Sequence, residues 1–327
     1  MKLLFILDPL AAIKTYKDTS FAMMAEAARR GHELHFTPQD GLMWKGGGVV
    51  AEHCRLHLVE PQKRLGNPEH HDTHWYRLEL PPLETALADF DAVLMRKDPP
   101  FDMEYVTSTW LLEAAVRQGA RVFNDPRAIR DHSEKLAIAE FDRYAAPTLV
   151  SRLMPQIQRF IEAHGDVVVK PLDGMGGAGV FRITDADPNR NVIVETLTQH
   201  GTRTIMAQRY LPEIRDGDKR VLLIAGKPVP FCLARVPKPG ETRGNLAAGG
   251  TGIARPLTPR DREIAEALAP ALWQRGLLLV GLDVIGDCLT EVNVTSPTCF
   301  QEITQQTGFD VPAMFVDALE QASARHA

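Results

Sequence analysis

One pair of segments near the end of the chain admits few folds. It reads Val280-Gly281-Leu282-Asp283-Val284 and then Thr290-Glu291-Val292-Asn293-Val294. Side chains of a strand alternate between two faces, so this is the pattern of a β-hairpin with one apolar and one polar face. Setting Asp283 opposite Glu291 puts Gly281 opposite Asn293 and Leu282 opposite Val292. Val280, Leu282, Val284, Val292 and Val294 then share a core face. A slip of one residue would turn every side chain over. The apolar pattern therefore selects this register, and with it an odd number of residues in the turn around Asp287. A two-residue Gly286-Asp287 turn would bury Asp283 against valines. The polar face gathers Asp283, Glu291 and Asn293 beside a bare Gly281. Two carboxylates and a carboxamide oxygen are hard ligands that suit Mg²⁺. A solvent-facing edge hairpin presents the same groups.

A second feature is the loop Asp173-Gly174-Met175-Gly176-Gly177-Ala178-Gly179. Apolar runs at residues 167–170 and 180–183 flank it as strands. Glycines let backbone N–H groups approach phosphate oxygens. No Gly-Lys-Ser/Thr follows, so it is not a Walker A loop, and the strand after it excludes a dinucleotide fingerprint. Alone it also fits a mobile hairpin turn. Lys170, at the end of the preceding strand, adds a point charge suited to a phosphate.

The first third of the chain alternates strand and helix signals: a buried strand at 3–7, a helix at 21–30 stopped by Gly31, a strand at 92–95, a helix at 103–118 stopped by Gly119, and a strand at 121–123. Weaker strands fall at 35–36, 55–59 and 75–80. This rhythm predicts a doubly wound sheet. Residues 45–72 are irregular. Gly46-Gly47-Gly48 reads as a hairpin turn. The His-rich stretch Glu69 to His74 lacks zinc-site spacing and reads as an exposed polar loop. Ser133 is placed to cap a helix over 134–144, and another helix follows at 155–164. Strands then dominate at 204–208, 220–225 and 229–236, before helices at 259–275 and 311–324.

The 327 residues suit two or three domains. A net charge of −5 offers no basic surface for nucleic acid. No stretch approaches the ~20 apolar residues of a membrane helix. Cys54, Cys232, Cys288 and Cys299 form no close pair, as expected of reduced thiols in a cytoplasmic protein. The first residues, Met1 to Pro9, read as a strand and not as a secretory leader.

Several longer stretches resemble the prokaryotic glutathione synthetases. They are residues 95–102 (Met-Arg-Lys-Asp-Pro-Pro-Phe-Asp), 170–177 (Lys-Pro-Leu-Asp-Gly-Met-Gly-Gly), Asp218-Lys219-Arg220, 241–250 (Glu-Thr-Arg-Gly-Asn-Leu-Ala-Ala-Gly-Gly) and 290–298 (Thr-Glu-Val-Asn-Val-Thr-Ser-Pro-Thr). The resemblance implies α/β and α+β architecture: a Rossmann-like N-terminal domain at 1–130, then a two-lobe ATP-grasp fold. The central lobe with the glycine loop would span 131–211, and the C-terminal lobe 212–327. It implies ATP as co-substrate, with Lys135 and Lys170 on its phosphates, Gly174, Gly176 and Gly177 over them, Gln208, Tyr210 and Leu211 along the adenine, and Asp218 near the ribose. Asp283, Glu291 and Asn293 match ligands of Mg²⁺, for which Mn²⁺ can stand in. Residues 237–252, with five glycines, two prolines and a central Arg243, match a mobile lid.

The reaction implied is phosphorylation of the cysteinyl carboxylate of γ-glutamylcysteine by ATP, followed by attack of glycine. Such chemistry needs cations around the phosphoryl group more than a protein nucleophile. Arg220 and Lys170 are the expected catalytic residues. Arg96, Asp98, Arg235, Arg243, Ser296 and Thr298 are the expected substrate contacts, the arginines as carboxylate clamps. The family's tetramer is implied as well. Two rival readings share the nucleotide residues: a ligase for another acid, such as a D-alanine–D-alanine ligase, and a nucleotide-controlled binding protein without turnover. The first would not be expected to share the stretches at 95–102 and 241–250, and the second would be favoured by loss of a metal carboxylate or of the glycine loop, both of which are present.

Overall fold

The computed structural model describes residues 1–246 and 249–324. Three sheets follow one another along the chain. The first has eight strands: β1 (Lys2–Leu7), β2 (Glu33–Pro38), β3 (Leu42–Lys45), β4 (Gly48–Leu58), β5 (Tyr76–Leu78), β6 (Leu83–Ala86), β7 (Ala92–Met95) and β8 (Val122–Phe123). Its path runs β3-β4-β2-β1-β7-β8, with β5 and β6 paired on β4. Strands β2, β1, β7 and β8 are parallel. The interval between β2 and β7 adds antiparallel strands. Here the structure extends the sequence reading. The irregular segment contains the eleven-residue β4, disguised by charged and histidine residues on its alternate positions.

Strand β1 shows why this sheet is central. Leu3, Phe5 and Leu7 enter the core shared with helix α1 (Thr19–Arg29), whereas Leu4 and Ile6 enter the core on the opposite face. A strand covered on both faces must be apolar throughout. Helix α1 begins where Asp18 accepts the N–H of Phe21 at 2.6 Å, and it ends at Gly31, whose φ is +81°. The short helix α2 (Pro61–Arg64) lies after β4, and α3 (Met103–Arg117) starts at Asp102, which caps the N–H of Tyr105. Helix α4 (Pro126–Asp131) is capped by Asp125.

The second sheet, in the order β11-β10-β12-β9, comprises β9 (Thr148–Ser151), β10 (Asp166–Pro171), β11 (Phe181–Thr184) and β12 (Ile205–Arg209). Helices α5 (Met154–His164) and α6 (Arg190–Leu197) cover one face through a core around Ile157, Ile161, Val169 and Val194. The third sheet runs β15-β14-β13-β16-β17, with β13 (Asp218–Ile224), β14 (Lys227–Val236), β15 (Thr251–Pro256), β16 (Leu279–Ile285) and β17 (Cys288–Asn293). Helix α7 (Pro259–Gln274), entered through a Thr258–Asp261 capping box, packs on one face. The other face joins the N-terminal core together with α8 (Phe300–Thr307) and α9 (Val311–Ala324). The chain's last helix thus returns to α1.

One expected helix is absent. Residues Leu136–Tyr144 form 3-10 turns broken at Phe141, and Ser133 makes no cap. The cause is tertiary. The carbonyl of Glu134 accepts the N–H of Val292 at 2.8 Å, and its side chain binds the residues after β17. Residues 134–135 are held to the strand and cannot start a regular helix.

The first and third sheets are joined by one buried amide. Asn124 Nδ2 donates to the carbonyls of Leu279 and Val294, each at 2.8 Å, and its Oδ1 accepts the Leu279 N–H at 2.9 Å. Asn124→Ala leaves these buried groups unpaired and should cost about 2–4 kcal/mol in urea-induced unfolding. A loss under about 0.5 kcal/mol, the size of an ordinary surface substitution, would show that the joint is not structural.

Candidate active site

Strands β16 and β17 pair as the apolar pattern requires, with Gly281 opposite Asn293, Leu282 opposite Val292 and Asp283 opposite Glu291. The turn does not. Ile285 pairs with Cys288, so the loop is the two-residue Gly286-Asp287 that parity had excluded. A bulge restores the parity: Val284 pairs with Leu289, which leaves Thr290 as the extra residue. Thr290 Oγ1 donates back to the carbonyl of Asp283 at 3.1 Å. The bulge keeps Val284 and Leu289 in the core while turning Asp283 and Glu291 the other way.

Asp283 is buried and clamped. Arg220, opposite it on β13, donates from Nε at 2.6 Å, and Arg235 on β14 reaches its Oδ2 at 2.8 Å. Arg235 also binds Asp218, its own cross-strand partner, at 2.5 Å. The result is a lattice of two guanidiniums and two carboxylates across three adjacent strands. Burial opposes ionisation of Asp283, but the two guanidiniums outweigh it and hold its carboxyl below the usual range. Asp218 goes the other way. Burial, with Asp283 and Glu291 nearby, outweighs Arg235 and pushes it up to about 7. Asp218 Oδ1 is buried with no hydrogen-bond partner among the described residues. Gly281 makes room for the lattice, since a Cβ there would sit 2.9 Å from Arg220 Cδ and 3.1 Å from Pro297 Cβ.

Two cavities flank this lattice. The first, with about 850 Å³ of empty space open to solvent, lies between the second and third sheets. Lys135, Lys170, Gly174, Gly176, Gly177, Gln208, Tyr210, Leu211, Asp218 and Glu291 all border it. Lys170 Nζ is 3.5 Å and Lys135 Nζ 3.7 Å from Glu291 Oε1. Burial lowers the Lys170 pKa, against the pull of Glu291. Lys135 donates to the carbonyl of Gly174 at 2.6 Å, tying it to the glycine loop. Gln208 donates to Thr148, and the guanidinium of Arg182 stacks 3.8 Å over the Tyr210 ring. Val168, Ile214 and Ile285 form apolar walls that the sequence reading did not single out. An apolar slot leading to lysines and a glycine loop suits a base and its phosphates.

The second cavity, of about 800 Å³, holds Asp98, Glu134, Arg220, Arg235, Asn293, Ser296 and Thr298. Both cavities share Met175, Gly176 and Asn245. The glycine loop and residues 242–246 are therefore their partition. Arg243 pairs with Glu241 at 2.7 Å and reaches the carbonyl of Gly177 at 3.3 Å, so the segment rests on the loop. Ala247 and Ala248, part of the expected lid, lie outside the described residues. Ser296 Oγ donates to Asp98. Arg96 does not border this cavity. It lies buried behind it, donating to Ser20 Oγ at 3.1 Å and to the carbonyl of Pro297 at 2.9 Å.

Glu134 went unnoticed because Ser133-Glu134-Lys135 reads as a helix start. Its Oε1 accepts the N–H groups of Val294 and Thr295 and the hydroxyl of Thr295. Burial nevertheless holds its carboxyl above the usual range. Elsewhere, Gly46-Gly47 turns the β3–β4 hairpin, and the described residues hold no cluster of three or more metal-binding His, Cys, Asp or Glu side chains. Asp283, Glu291 and Asn293 share one side of the hairpin; Glu291 and Asp218 border the first cavity and Asn293 the second, while both oxygens of Asp283 are taken by Arg220 and Arg235. Such a donor set fits a hard divalent cation. No described helix is long and apolar enough to cross a membrane.

The fold and the paired cavities define an ATP-grasp ligase. Among solved structures the chain is similar to the D-cycloserine synthetase DcsG, with a TM-score of 0.66 and 16% identity over 100% of both chains. It is also similar to the ATP-grasp ligase PsnB complexed with a phosphomimetic variant of its minimal precursor, Mg and ADP, with a TM-score of 0.63 and 17% identity over 98% of each chain. Residues 1–130 match the prokaryotic glutathione synthetase N-terminal domain and residues 134–308 the ATP-grasp domain of the same family. Glutathione synthetase of Ralstonia nicotianae is 62% identical over 99% of this chain and 97% of its own, and that of Nitrosomonas europaea 61% identical over 99% of each. The chain belongs to the prokaryotic glutathione synthetase family, whose ATP-grasp domain implies ATP use and a divalent metal.

Because Gly281 lets Arg220 lie across β16 onto Asp283, Gly281→Ala should displace that guanidinium. The expected result is a fall in kcat of about 10²-fold, the size typical of losing one charge-stabilising contact, together with a lower Tm, because Asp283 loses part of its buried counter-charge. An unchanged kcat would show that Arg220 has no such role.

Proposed function

We propose that this chain joins γ-L-glutamyl-L-cysteine to glycine, with ATP converting the cysteinyl carboxylate to an acyl-phosphate, and that the two cavities divide the work. ATP occupies the slot between the second and third sheets, its phosphates running toward Lys135, Lys170 and the glycine loop. The dipeptide occupies the second cavity, with its cysteinyl carboxylate toward Arg220. The observation that carries this reading is the shared partition. The γ-phosphate and the acceptor carboxylate can meet only where the glycine loop separates the two spaces.

A carboxylate is a weak electrophile, and phosphorylation gives it a leaving group. The barrier is then one of charge, since two anions must approach. Lys170 and Arg220 supply fixed cations from opposite sides of the partition. Asp283, Glu291 and Asn293 would hold Mg²⁺ (Mn²⁺ in its place). When bound, such a cation would draw negative charge off the phosphates. The glycine nitrogen, having lost one ammonium proton to solvent, attacks the acyl carbon; the C–N bond forms, the C–O bond to the phosphate breaks, and the second proton leaves with the expelled phosphate. Arg235, paired with Asp218 and Asp283, orients that lattice, while Asp98, Ser296 and Thr298 face the dipeptide. Arg243 and its neighbours Thr242 to Leu246, resting on the glycine loop, cover the junction of the two cavities and keep water from the acyl-phosphate. Family resemblance supports a cytoplasmic homotetramer.

Phosphate release should require ATP, Mg²⁺, γ-glutamylcysteine and glycine together, and should yield glutathione. Glu291→Ala removes a ligand and the partner of both lysines, and should lower kcat by at least about 10²-fold. Release that does not depend on γ-glutamylcysteine would sink the substrate assignment while leaving the nucleotide site standing.

A further inference from the structure

We infer that Glu134 receives the ammonium group of the amino acid that attacks the acyl-phosphate. The inference rests on the ligation reading above. Glu134 is half-used. Its Oε1 accepts Val294 N–H at 3.0 Å, Thr295 N–H at 3.1 Å and Thr295 Oγ1 at 2.8 Å. Its Oε2 has no hydrogen-bond partner among the described residues. That oxygen is not sealed in the core either, because Glu134 is only partly buried and borders the second cavity together with Arg220, Asn293 and Ser296.

The other acids of the site have their cations. Asp283 has Arg220 and Arg235, Asp218 has Arg235, and Glu291 faces Lys135 and Lys170. Glu134 pairs with no cation among the described residues. A carboxylate withdrawn even partly from water without a counter-ion is unfavourable. Where one oxygen opens on a substrate cavity, the missing cation can come with the substrate. A charge-assisted N–H···O bond is roughly twice as strong as a neutral one.

Two ammonium groups enter this reaction, one on the glutamyl arm of the dipeptide and one on glycine. Position selects between them. The carbonyl of Glu134 accepts Val292 N–H, midway between Glu291 and Asn293, and its side chain holds the two residues after Asn293. Lys135, its chain neighbour, faces the nucleotide cavity. Glu134 is therefore fixed beside the reacting carboxyl. The glutamyl ammonium lies at the far end of an extended arm, whereas the attacking nitrogen must touch the carbonyl carbon. Holding that nitrogen in place converts a two-body encounter into an oriented one.

The test compares glycine with hydroxylamine, which is uncharged at neutral pH and needs no anionic receptor. Glu134→Gln keeps an oxygen for the three donors but removes the charge. The expected result is a glycine KM raised about tenfold to a hundredfold, with the KM for γ-glutamylcysteine and the rate of hydroxamate formation little changed. Glu134→Asp keeps the charge one methylene back and should be intermediate. If the glutamine variant does not fold, the same glycine-to-hydroxylamine ratio in the aspartate variant decides. Equal losses with both amines, or a rise in the dipeptide KM in place of the glycine KM, would overturn the inference. A wild-type enzyme that forms no hydroxamate from γ-glutamylcysteine would instead overturn the ligation reading, and the Glu134 assignment with it.

Discussion

The carboxylate of Asp283 lies between two guanidinium groups, and the rest of the site takes its place from that contact. Arg220 and Arg235 come from neighbouring strands, so the clamp forms only if β14, β13 and β16 pair in one register. Breaking one partner of such a buried group typically costs about 3–5 kcal/mol, because the other charge is left uncompensated. The register is thereby specified twice, by the apolar face and by the charges. With Asp283 fixed, Glu291 opposite it falls within reach of Lys170 from the second sheet and Lys135 from the connection. The two sheets that grip the nucleotide cavity are thus linked by the Lys170–Glu291 ion pair.

Much of this was legible in the chain because strand periodicity is unforgiving. The pairing of Asp283 with Glu291 followed from five apolar positions alone. The turn did not follow, because parity constrains the number of residues between two positions and not where the odd one sits. Thr290 takes that place as a bulge, and a hydroxyl that can bond the Asp283 carbonyl suits it there. Only the end of strand β4 was legible, in the weak strand at 55–59, for another reason. Glu52, His53, Arg55 and His57 interrupt its apolar residues, and His53 is nevertheless buried. The 134–144 segment shows local preference losing to a long-range contact: its sequence favours a helix, but β17 claims the Glu134 carbonyl. Individual roles in the site rested on family resemblance, since Arg96 and Arg235 look alike in sequence and differ only in what buries them.

The topology also explains why one chain can keep two reactive anions apart until they are aligned. The glycine loop and the 237–252 segment belong to different sheets, and they meet at Gly177, where a Cβ would come within 2.8 Å of Asn245 Oδ1. Neither cavity is closed without that meeting. A partition whose two sides come from different sheets can hold ATP and dipeptide in separate spaces that adjoin at one place.

The central claim is that the cysteinyl carboxylate attacks the γ-phosphate directly. It is tested most simply with γ-glutamylcysteine carrying ¹⁸O in that carboxylate, incubated with ATP, Mg²⁺ and glycine, with the released phosphate analysed by mass. Transfer through an acyl-phosphate places one carboxylate oxygen in each phosphate released, so the label should appear there. Unlabelled phosphate would mean that the bridging oxygen came from elsewhere, and the account of two cavities meeting across the glycine loop would fail.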